Sequence, residues 1–262
     1  MRVNKTKQKL EAGGTAFGFE LGLGSALVAE GLARTGIDYL QIDTQHGDWG
    51  QDSVIAALMA IEGSDCTPIA RVARNDYTLI GRLLDEGMMG IVVPMVHTAE
   101  DAKAAADACF YPPKGTRSCG WARIGRTTED YWSWIDDEVL LMVQIESITA
   151  VENAEAILST PGVAGCWTGP ADLAFSMGIH PRDQRQSDEH ILALERVLEA
   201  CKNTGKVPGI AAMNPEDAAA RAADGWRFIN AGQDAAILMD AAAAGVRTVG
   251  LERAVLDRTT SY

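Results

Sequence analysis

Several features that commonly reveal a function are missing from this sequence of 262 residues. The five cysteines are odd in number, widely spaced and without a CxxC pair, which argues against a disulfide framework and favours free thiols in the reducing cytoplasm. No apolar run predicts a membrane span, and none follows the basic N-terminus as in a signal peptide. The motifs GxSxG and HExxH and the phosphate-binding P-loop are absent too, so no common hydrolase or nucleotide signature guides the interpretation.

Basic residues are scarce. The 23 Lys and Arg stand against 36 Asp and Glu, a formal net charge of −13. Such a surface repels phosphate backbones and anionic membranes, so we expect small-molecule partners and neither nucleic acid nor lipid. The apolar fraction of 47% is ordinary for a soluble protein, and no linker or low-complexity tract divides the chain. We therefore expect one domain over residues 1–262.

Short apolar runs alternate with longer, alanine-rich helical segments along the whole chain, which is the rhythm of βα units. Eight repeats in about 250 residues favour a (β/α)8 TIM barrel. A doubly wound sheet is the alternative, but it usually needs fewer strands, and no GxGxxG follows the first run. The predicted strands are 16–21, 39–43, 67–72, 90–94, 140–146, 165–169, 207–213 and 228–233.

Two long irregular segments interrupt this rhythm. Residues 111–138, "YPPKGTRSCGWARIGRTTEDYWSWIDDE", follow the fourth strand, and residues 171–190 follow the sixth. Long loops in a domain are commonly functional. In a barrel they lie at the C-terminal ends of the strands, where barrel enzymes have their active sites.

Charged and amide side chains collect at several of these strand ends. Asp43 and Arg71 end two neighbouring strands, and Gln144 and Glu146 share one face of the fifth because side chains alternate along a strand. Glu146 with Asp172, which follows the next strand, predicts a two-carboxylate site for Mg²⁺ or Mn²⁺. Two structural alternatives remain at this point: a buried Glu146–Arg71 ion pair, and Asp172 as a helix cap.

His46 follows Asp43 by three residues. A carboxylate at that distance can hold one imidazole nitrogen and leave the other as a general base near neutral pH. The alternative is a histidine that only makes a structural hydrogen bond. His97, His180 and His190 have no matching carboxylate at a strand end, so we predict that they lie at the surface.

These residues lie in segments that resemble the HpcH/HpaI aldolase family, the class II pyruvate-type aldolases. The resemblance runs nearly end to end, and the combination of three motifs makes it specific. The segments that carry it are "GIDYLQIDTQHGDW", "ARVARND", "LLDEGMMGIVVPMVHTAEDAKAAADACFYPPKGTRSCG", "LMVQIESITAVENAEAILSTPGVAGCWTGPADLAFSMG" and "PGIAAMNPEDAAARAADGWRFINAGQD", and the motifs are "YPPKGTRSCG", "VQIES" and "GPADLAFSMG".

The resemblance implies a role for each strand-end residue. Glu146 and Asp172 match the two ligands of the divalent metal. Arg71 matches the arginine that contacts the keto oxygen of the pyruvoyl donor and stabilises its enolate. His46 with Asp43 matches the pair that handles the proton.

The same resemblance assigns the surroundings of the metal. Gln144 is expected to support the metal shell. The loop of Gly169, Pro170, Ala171 and Asp172 matches the one that receives the donor carboxylate through its backbone N–H groups. Because proline has no N–H, Ala171 and Asp172 must be the donors there.

Two residues depart from the family pattern, and two further features concern assembly. Gln45 stands where relatives commonly have Glu, and Glu20 where many have an aromatic or apolar residue. The family pattern implies a homohexamer, a trimer of dimers, with swapped C-terminal helices, for which the apolar segment 235–256 is suited. In such an assembly Asp85 reaches a neighbour's active site.

The sequence thus predicts a metal-dependent aldolase that cleaves 4-hydroxy-2-oxo acids to pyruvate or hydroxypyruvate and an aldehyde, with Mg²⁺, Mn²⁺ or Co²⁺. No lysine lies on a predicted strand, which argues against an imine mechanism. Other enzymes of the same barrel are alternatives: a citryl- or malyl-CoA lyase-like enzyme, or a phosphonopyruvate-type one. The third alternative is a non-catalytic barrel that binds 2-oxo acids.

Overall fold

Eight parallel strands, each followed by helix, form the fold of residues 3–120 and 122–251, which are the residues that the computed structural model describes. All eight predicted strands are present, although β3 to β7 are shorter than predicted because the chain leaves the sheet at the barrel rim. The strands are β1 Ala16–Leu21, β2 Tyr39–Asp43, β3 Thr67–Arg71, β4 Gly90–Val93, β5 Leu140–Gln144, β6 Gly165–Trp167, β7 Gly209–Ala211 and β8 Phe228–Gln233.

The strands pair in the order β6-β5-β4-β3-β2-β1-β8-β7, and all pairs are parallel. Parallel bridges from Gly165 to Val207 and from Thr168 to Ile210 join β6 to β7. This contact between the two outer strands closes the sheet on itself. The predicted (β/α)8 barrel is therefore confirmed, and the open doubly wound sheet is wrong.

The helices surround the barrel, and both long segments after β4 and β6 contain helical turns that the irregular sequence pattern concealed. Many helices begin at a side-chain cap; Thr98, for example, accepts a hydrogen bond from the N–H of Asp101. The helices are α1 Lys5–Glu11, α2 Ala26–Ala33, α3 Gln51–Ile61, α4 Tyr77–Glu86, α5 Ala99–Cys109, α6 Arg123–Thr127, α7 Tyr131–Glu138, α8 Ile148–Glu152, α9 Ala154–Leu158, α10 Pro170–Ser176, α11 Asp188–Thr204, α12 Pro215–Ala223 and α13 Asp234–Thr248. None of them is long and apolar enough to cross a membrane.

The barrel interior has an apolar lower part. Tyr39 stacks on Phe228 with ring centroids 4.3 Å apart, and Leu10 of α1 belongs to the same buried cluster. Gly18 is required here because a Cβ at that position would lie 2.2 Å from the Tyr39 ring. A second cluster of apolar side chains packs between the strands and the helices as an outer core.

The last described helix, α13, packs poorly against its own barrel. Asp234 is its only buried residue, whereas Leu238 and Met239 are exposed. An apolar groove of about 600 Å³ runs beside β1 and α2, lined in part by Phe17 and Leu32. Ile237 of α13 lines the same groove, so α13 covers this face of the barrel only in part.

Candidate active site

An arginine–aspartate pair lies at the centre of the barrel mouth. Asp43 and Arg71 are register partners on β2 and β3, so their side chains point inward at the same height. Nε and Nη2 of Arg71 donate to the two carboxylate oxygens of Asp43 at 2.8 and 2.6 Å. Arg71 is 7% exposed and Asp43 is fully buried. This charge-assisted, bidentate geometry fixes the guanidinium plane.

Glu20 is a second acid beside this arginine. It lies one residue before the end of β1. Its Oε2 is 3.4 Å from Arg71 Nη2, and Gln233 donates to its Oε1 at 3.1 Å. A β-bulge between β1 and β8 brings Gln233 into this position. Burial raises the pKa of Glu20, although Arg71 opposes that effect.

Glu146 lies across the mouth, two residues after the end of β5, and is 3% exposed. Its Oε1 accepts a hydrogen bond from the N–H of Met95 at 2.8 Å, and its Oε2 accepts one from Gln144 at 2.5 Å. Met95 adopts a left-handed conformation, with φ of 55°, to point its N–H at the carboxylate. Burial raises the pKa of Glu146 to about 7, and the neighbouring Asp172 acts in the same direction.

Gly169 lies between the two predicted metal ligands. A Cβ on this glycine would be 2.9 Å from Oε2 of Glu146 and 3.5 Å from Oδ2 of Asp172. Both carboxylates therefore flank one point, and a side chain at Gly169 would fill the space they share. The first main-chain bond of α10 runs from Leu173 N to Gly169 O, which leaves the N–H groups of Ala171 and Asp172 for other acceptors.

This arrangement fits a divalent cation. Within residues 3–120 and 122–251, no three His, Cys, Asp or Glu side chains converge as a metal site. Two carboxylates are nevertheless enough for Mg²⁺ or Mn²⁺, which take their other oxygen ligands from water and substrate. The buried Oε1 of Gln144 has no hydrogen-bond partner among the described residues and adds a polar group next to Glu146. Glu146 and Asp172 would hold the ion.

The structure does not support either structural alternative for these acids. Arg71 pairs with Asp43 and Glu20, while Glu146 is bonded by an amide and a main-chain N–H, so the Glu146–Arg71 ion pair is wrong. Asp172 is not the cap of α10, because the N-cap residue is Gly169. The carboxylates of Glu146 and Asp172 remain available to a ligand.

The predicted hydrogen bond between Asp43 and His46 is wrong. Both Asp43 oxygens bind Arg71, and Oδ1 also accepts the N–H of Gln45 at 3.0 Å. A guanidinium offers two charged donors in the plane of the carboxylate, so it competes effectively against one imidazole N–H. His46 instead lies exposed on the loop after β2, and no hydrogen bond to its ring is formed within the described residues.

The other histidines differ from the prediction in two of three cases. His180 is exposed as expected. His190 is buried, and its Nε2 lies 2.9 Å from the carbonyl oxygen of Pro170, so it supports the loop that leads to Asp172. His97 is half-buried, with Nδ1 2.8 Å from Ser147 Oγ. Burial lowers the pKa of His190.

Asp85 lies apart from the Arg71 cluster, near the end of α4. Its Oδ1 accepts a hydrogen bond from Nη2 of Arg117 at 2.6 Å. Arg117 belongs to the segment after β4 and is held between the rings of Tyr111 and Tyr131. The chain therefore does not bring Asp85 into its own barrel mouth.

Comparison with known proteins agrees with this geometry. The model of the HpcH/HpaI aldolase/citrate lyase family matches residues 18–241. The chain belongs to this family. A hydroxypyruvate/pyruvate aldolase of Chromohalobacter salexigens is 37% identical over 234 residues, 88% of this chain and 91% of that protein. A 4-hydroxy-2-oxo-heptane-1,7-dioate aldolase of Escherichia coli is 36% identical, and the alignment covers 92% of this chain and 93% of that protein.

A solved structure of the HpcH/HpaI aldolase/citrate lyase family, from Burkholderia cenocepacia, has the same architecture. It superposes with a TM-score of 0.89 at 32% sequence identity, and the alignment covers 94% of this chain and 99% of the Burkholderia chain. The predicted family is thus confirmed over the segments that carry Arg71, Glu146 and Asp172.

Two groups at the barrel mouth were not predicted from the sequence. Glu20 was noted only as a departure from relatives, although the alternation from Ala16 through Gly18 places it inward, close to Arg71. The N–H of Met95 gave no signal at all, since a main-chain donor has no residue type by which to recognise it. Both were found only from the structure.

The pKa of Glu146 leads to a prediction for the metal-free protein. Its folded pKa of about 7 exceeds the ordinary value of 4.5, so the stability it contributes is complete below pH 4.5 and is lost as pH rises through 7. The neutral isostere Glu146→Gln should escape this loss. From about pH 5.5 to about pH 8 in EDTA, the wild type should therefore lose roughly 2 kcal/mol of unfolding free energy relative to the variant.

Urea unfolding at both pH values measures this difference. Glu199→Gln, an exposed change on α11, serves as the charge-matched control and should follow the wild type. Mn²⁺ added at about pH 8 should stabilise the wild type more than Glu146→Gln. Parallel pH dependence in wild type and Glu146→Gln would show that Glu146 is already ionised without metal.

Proposed function

We propose that this protein is a metal-dependent aldolase that cleaves 4-hydroxy-2-oxo acids to pyruvate or hydroxypyruvate and an aldehyde. The observation that carries this proposal is the convergence of the Glu146 and Asp172 carboxylates beside Gly169, across the mouth from a fixed guanidinium. The printed names of the two curated relatives support an aldolase over a CoA-dependent lyase or a non-catalytic barrel.

In the cleavage direction the bond between C3 and C4 breaks. The C4 hydroxyl loses its proton and becomes the aldehyde oxygen, and the electron pair of the broken bond moves into the enolate of the 2-oxo acid. That enolate then receives a proton at C3. A divalent cation, Mg²⁺, Mn²⁺ or Co²⁺, would polarise the keto group and stabilise the negative charge that develops there.

The residues of the chain would bind and orient the substrate. Arg71 is placed to donate to the keto oxygen, and Asp43 positions it. The free N–H groups of Ala171 and Asp172 would receive the donor carboxylate, with Gly169 and Pro170 shaping the loop. Gln144 orients Glu146 through its amide.

We assign the proton transfer to His46 without Asp43 as its partner. In cleavage His46 takes the proton from the C4 hydroxyl, and it returns a proton to C3 once the aldehyde has left. Its exposed position on the loop after β2 allows it to face a substrate in the mouth. The two residues thus act separately, Asp43 on Arg71 and His46 on the substrate.

The partners follow from the same chemistry. They are a small 2-oxo acid and an aldehyde, and the net charge of −13 supports neither nucleic acid nor membrane binding. The cysteines of the described residues are all free, and four are buried, which is consistent with the cytoplasm that we propose as location.

A turnover assay tests the function. With pyruvate and a neutral aldehyde, condensation should stop in EDTA and return with Mn²⁺, Mg²⁺ or Co²⁺, because the cation activates the keto group. The reverse reaction, cleavage of the isolated product, should follow the same pattern. Full activity in the presence of the chelator would contradict the metal-dependent mechanism.

The role of His46 gives a separate prediction. His46→Ala should lower both cleavage and proton exchange at C3 of pyruvate by roughly 10²–10⁴-fold, the usual effect of general acid–base catalysis. Binding of the 2-oxo acid should change much less, because Arg71 and the metal site hold it. His180→Ala, also an exposed histidine, is the control and should retain activity. Near wild-type exchange in His46→Ala would assign the proton transfer to another group.

We also propose a homohexamer, a trimer of dimers, in which α13 packs on a neighbouring barrel. The exposed side chains of α13 and the apolar groove beside β1 and α2 support this arrangement. Residues 252–256 of the predicted apolar segment lie outside the described residues. In this assembly Asp85 would face a neighbour's site, held by Arg117.

Light scattering measures the assembly. The full chain should have several times the monomer mass of 28.0 kDa. Leu238→Glu, which places a charge on the exposed apolar face of α13, should lower that mass because the charge would be buried in the interface. A fully active monomer would contradict the proposed assembly.

A further inference from the structure

The charges at the barrel mouth do not balance. Arg71 is the only Lys or Arg that forms an ion pair with Glu20 or Asp43 among the described residues. Both oxygens of Asp43 bind it at 2.6 to 2.8 Å, so Asp43 already offsets its charge. Glu20 approaches the same guanidinium only at 3.4 Å. One carboxylate therefore has no cation of its own.

The proposed function does not remove this excess. A divalent cation at Glu146 and Asp172 would offset those two charges and nothing more. The carboxylate of the 2-oxo acid brings another negative charge, for which the loop before α10 provides N–H groups and no Lys or Arg. Glu20 thus still has no cation of its own once the donor is bound.

The surroundings of Glu20 hold its side chain in the mouth. Gln233 and Gln41 donate to its two oxygens at 3.1 and 3.4 Å, so the side chain is held in place. It remains 15% exposed. Asp234 adds a further negative charge nearby, and among the described residues its own oxygens accept hydrogen bonds only from the N–H groups of Gly22, Leu23 and Ala235. These negative charges would repel a second anion that enters the mouth.

We propose that Glu20 is a specificity-determining residue that selects aldehydes without a carboxylate over aldehydes that carry one. The inference rests on the proposed aldolase function and specifies its substrate class. Repulsion in a partly solvated cleft acts over several ångströms, so it does not require contact between Glu20 and the aldehyde. The favoured partners are neutral or hydroxylated aldehydes.

The test compares two aldehydes of equal carbon number in condensation with pyruvate and Mn²⁺: butanal, which is neutral, and succinic semialdehyde, which is anionic. The measured quantity is the ratio of kcat/KM for butanal to kcat/KM for succinic semialdehyde. Wild type should favour butanal, and Glu20→Gln should lower the ratio about tenfold, the size expected for unit charges about 10 Å apart at a near-surface dielectric. Glu199→Gln removes the same charge far from the mouth and should leave the ratio unchanged.

The dependence of the wild-type ratio on ionic strength provides a second measurement. Raising ionic strength from about 0.1 M to about 1 M shortens the screening length from about 10 Å to about 3 Å. The wild-type ratio should fall several-fold, and the ratio for Glu20→Gln should change less.

Two results would overturn the inference. One is an unchanged ratio in Glu20→Gln, including an equal loss with both aldehydes, which would make Glu20 only a support for Arg71. The other is a salt-independent wild-type ratio. Wild type that condenses pyruvate with neither aldehyde would contradict the proposed function itself, and the inference would fall with it.

Discussion

The pairing of Arg71 with Asp43 is the interaction on which the barrel mouth depends. A guanidinium this deeply buried requires a counter-charge, since an unpaired buried ion is strongly destabilising. Asp43 supplies it from the adjacent strand with both oxygens. The pair leaves one edge of the guanidinium for a substrate and fixes its direction. Because the pair arises from strand register, the geometry is set by the barrel and not by a loop.

This pairing also determines what the other acids can do. Arg71 is committed to Asp43, so it cannot serve Glu146, which burial and Asp172 leave with a raised pKa. Burial disfavours the charged form of such a carboxylate, so a nearby cation would stabilise it. The mouth is thus divided into an arginine side, with Asp43 and Glu20, and an opposite side with the carboxylates of Glu146 and Asp172.

Much of the fold and of the barrel mouth could be predicted from the sequence, but only where residue type and position along the chain carry the information. Periodicity predicted the eight strands and the alternation of side chains, and hence that Gln144 and Glu146 share one face. The hydrogen-bond partner of each side chain could not be predicted in this way. Asp43 stands three residues from His46 in the chain, yet its partner lies 28 positions away on the next strand. Sequence proximity favoured the histidine, while strand register brought the stronger donor to the carboxylate.

The same reasoning explains why Met95 could not be found in advance. Its contribution is a main-chain N–H, directed at Glu146 by a left-handed conformation that is unfavourable for a residue with a side chain. The strain is tolerated because the buried carboxylate of Glu146, two residues after β5, needs a donor. Glu146 is therefore oriented from two elements, by Met95 after β4 and by Gln144 of β5. A carboxylate held from two sides keeps its position, and such preorganisation is what charge stabilisation in catalysis requires.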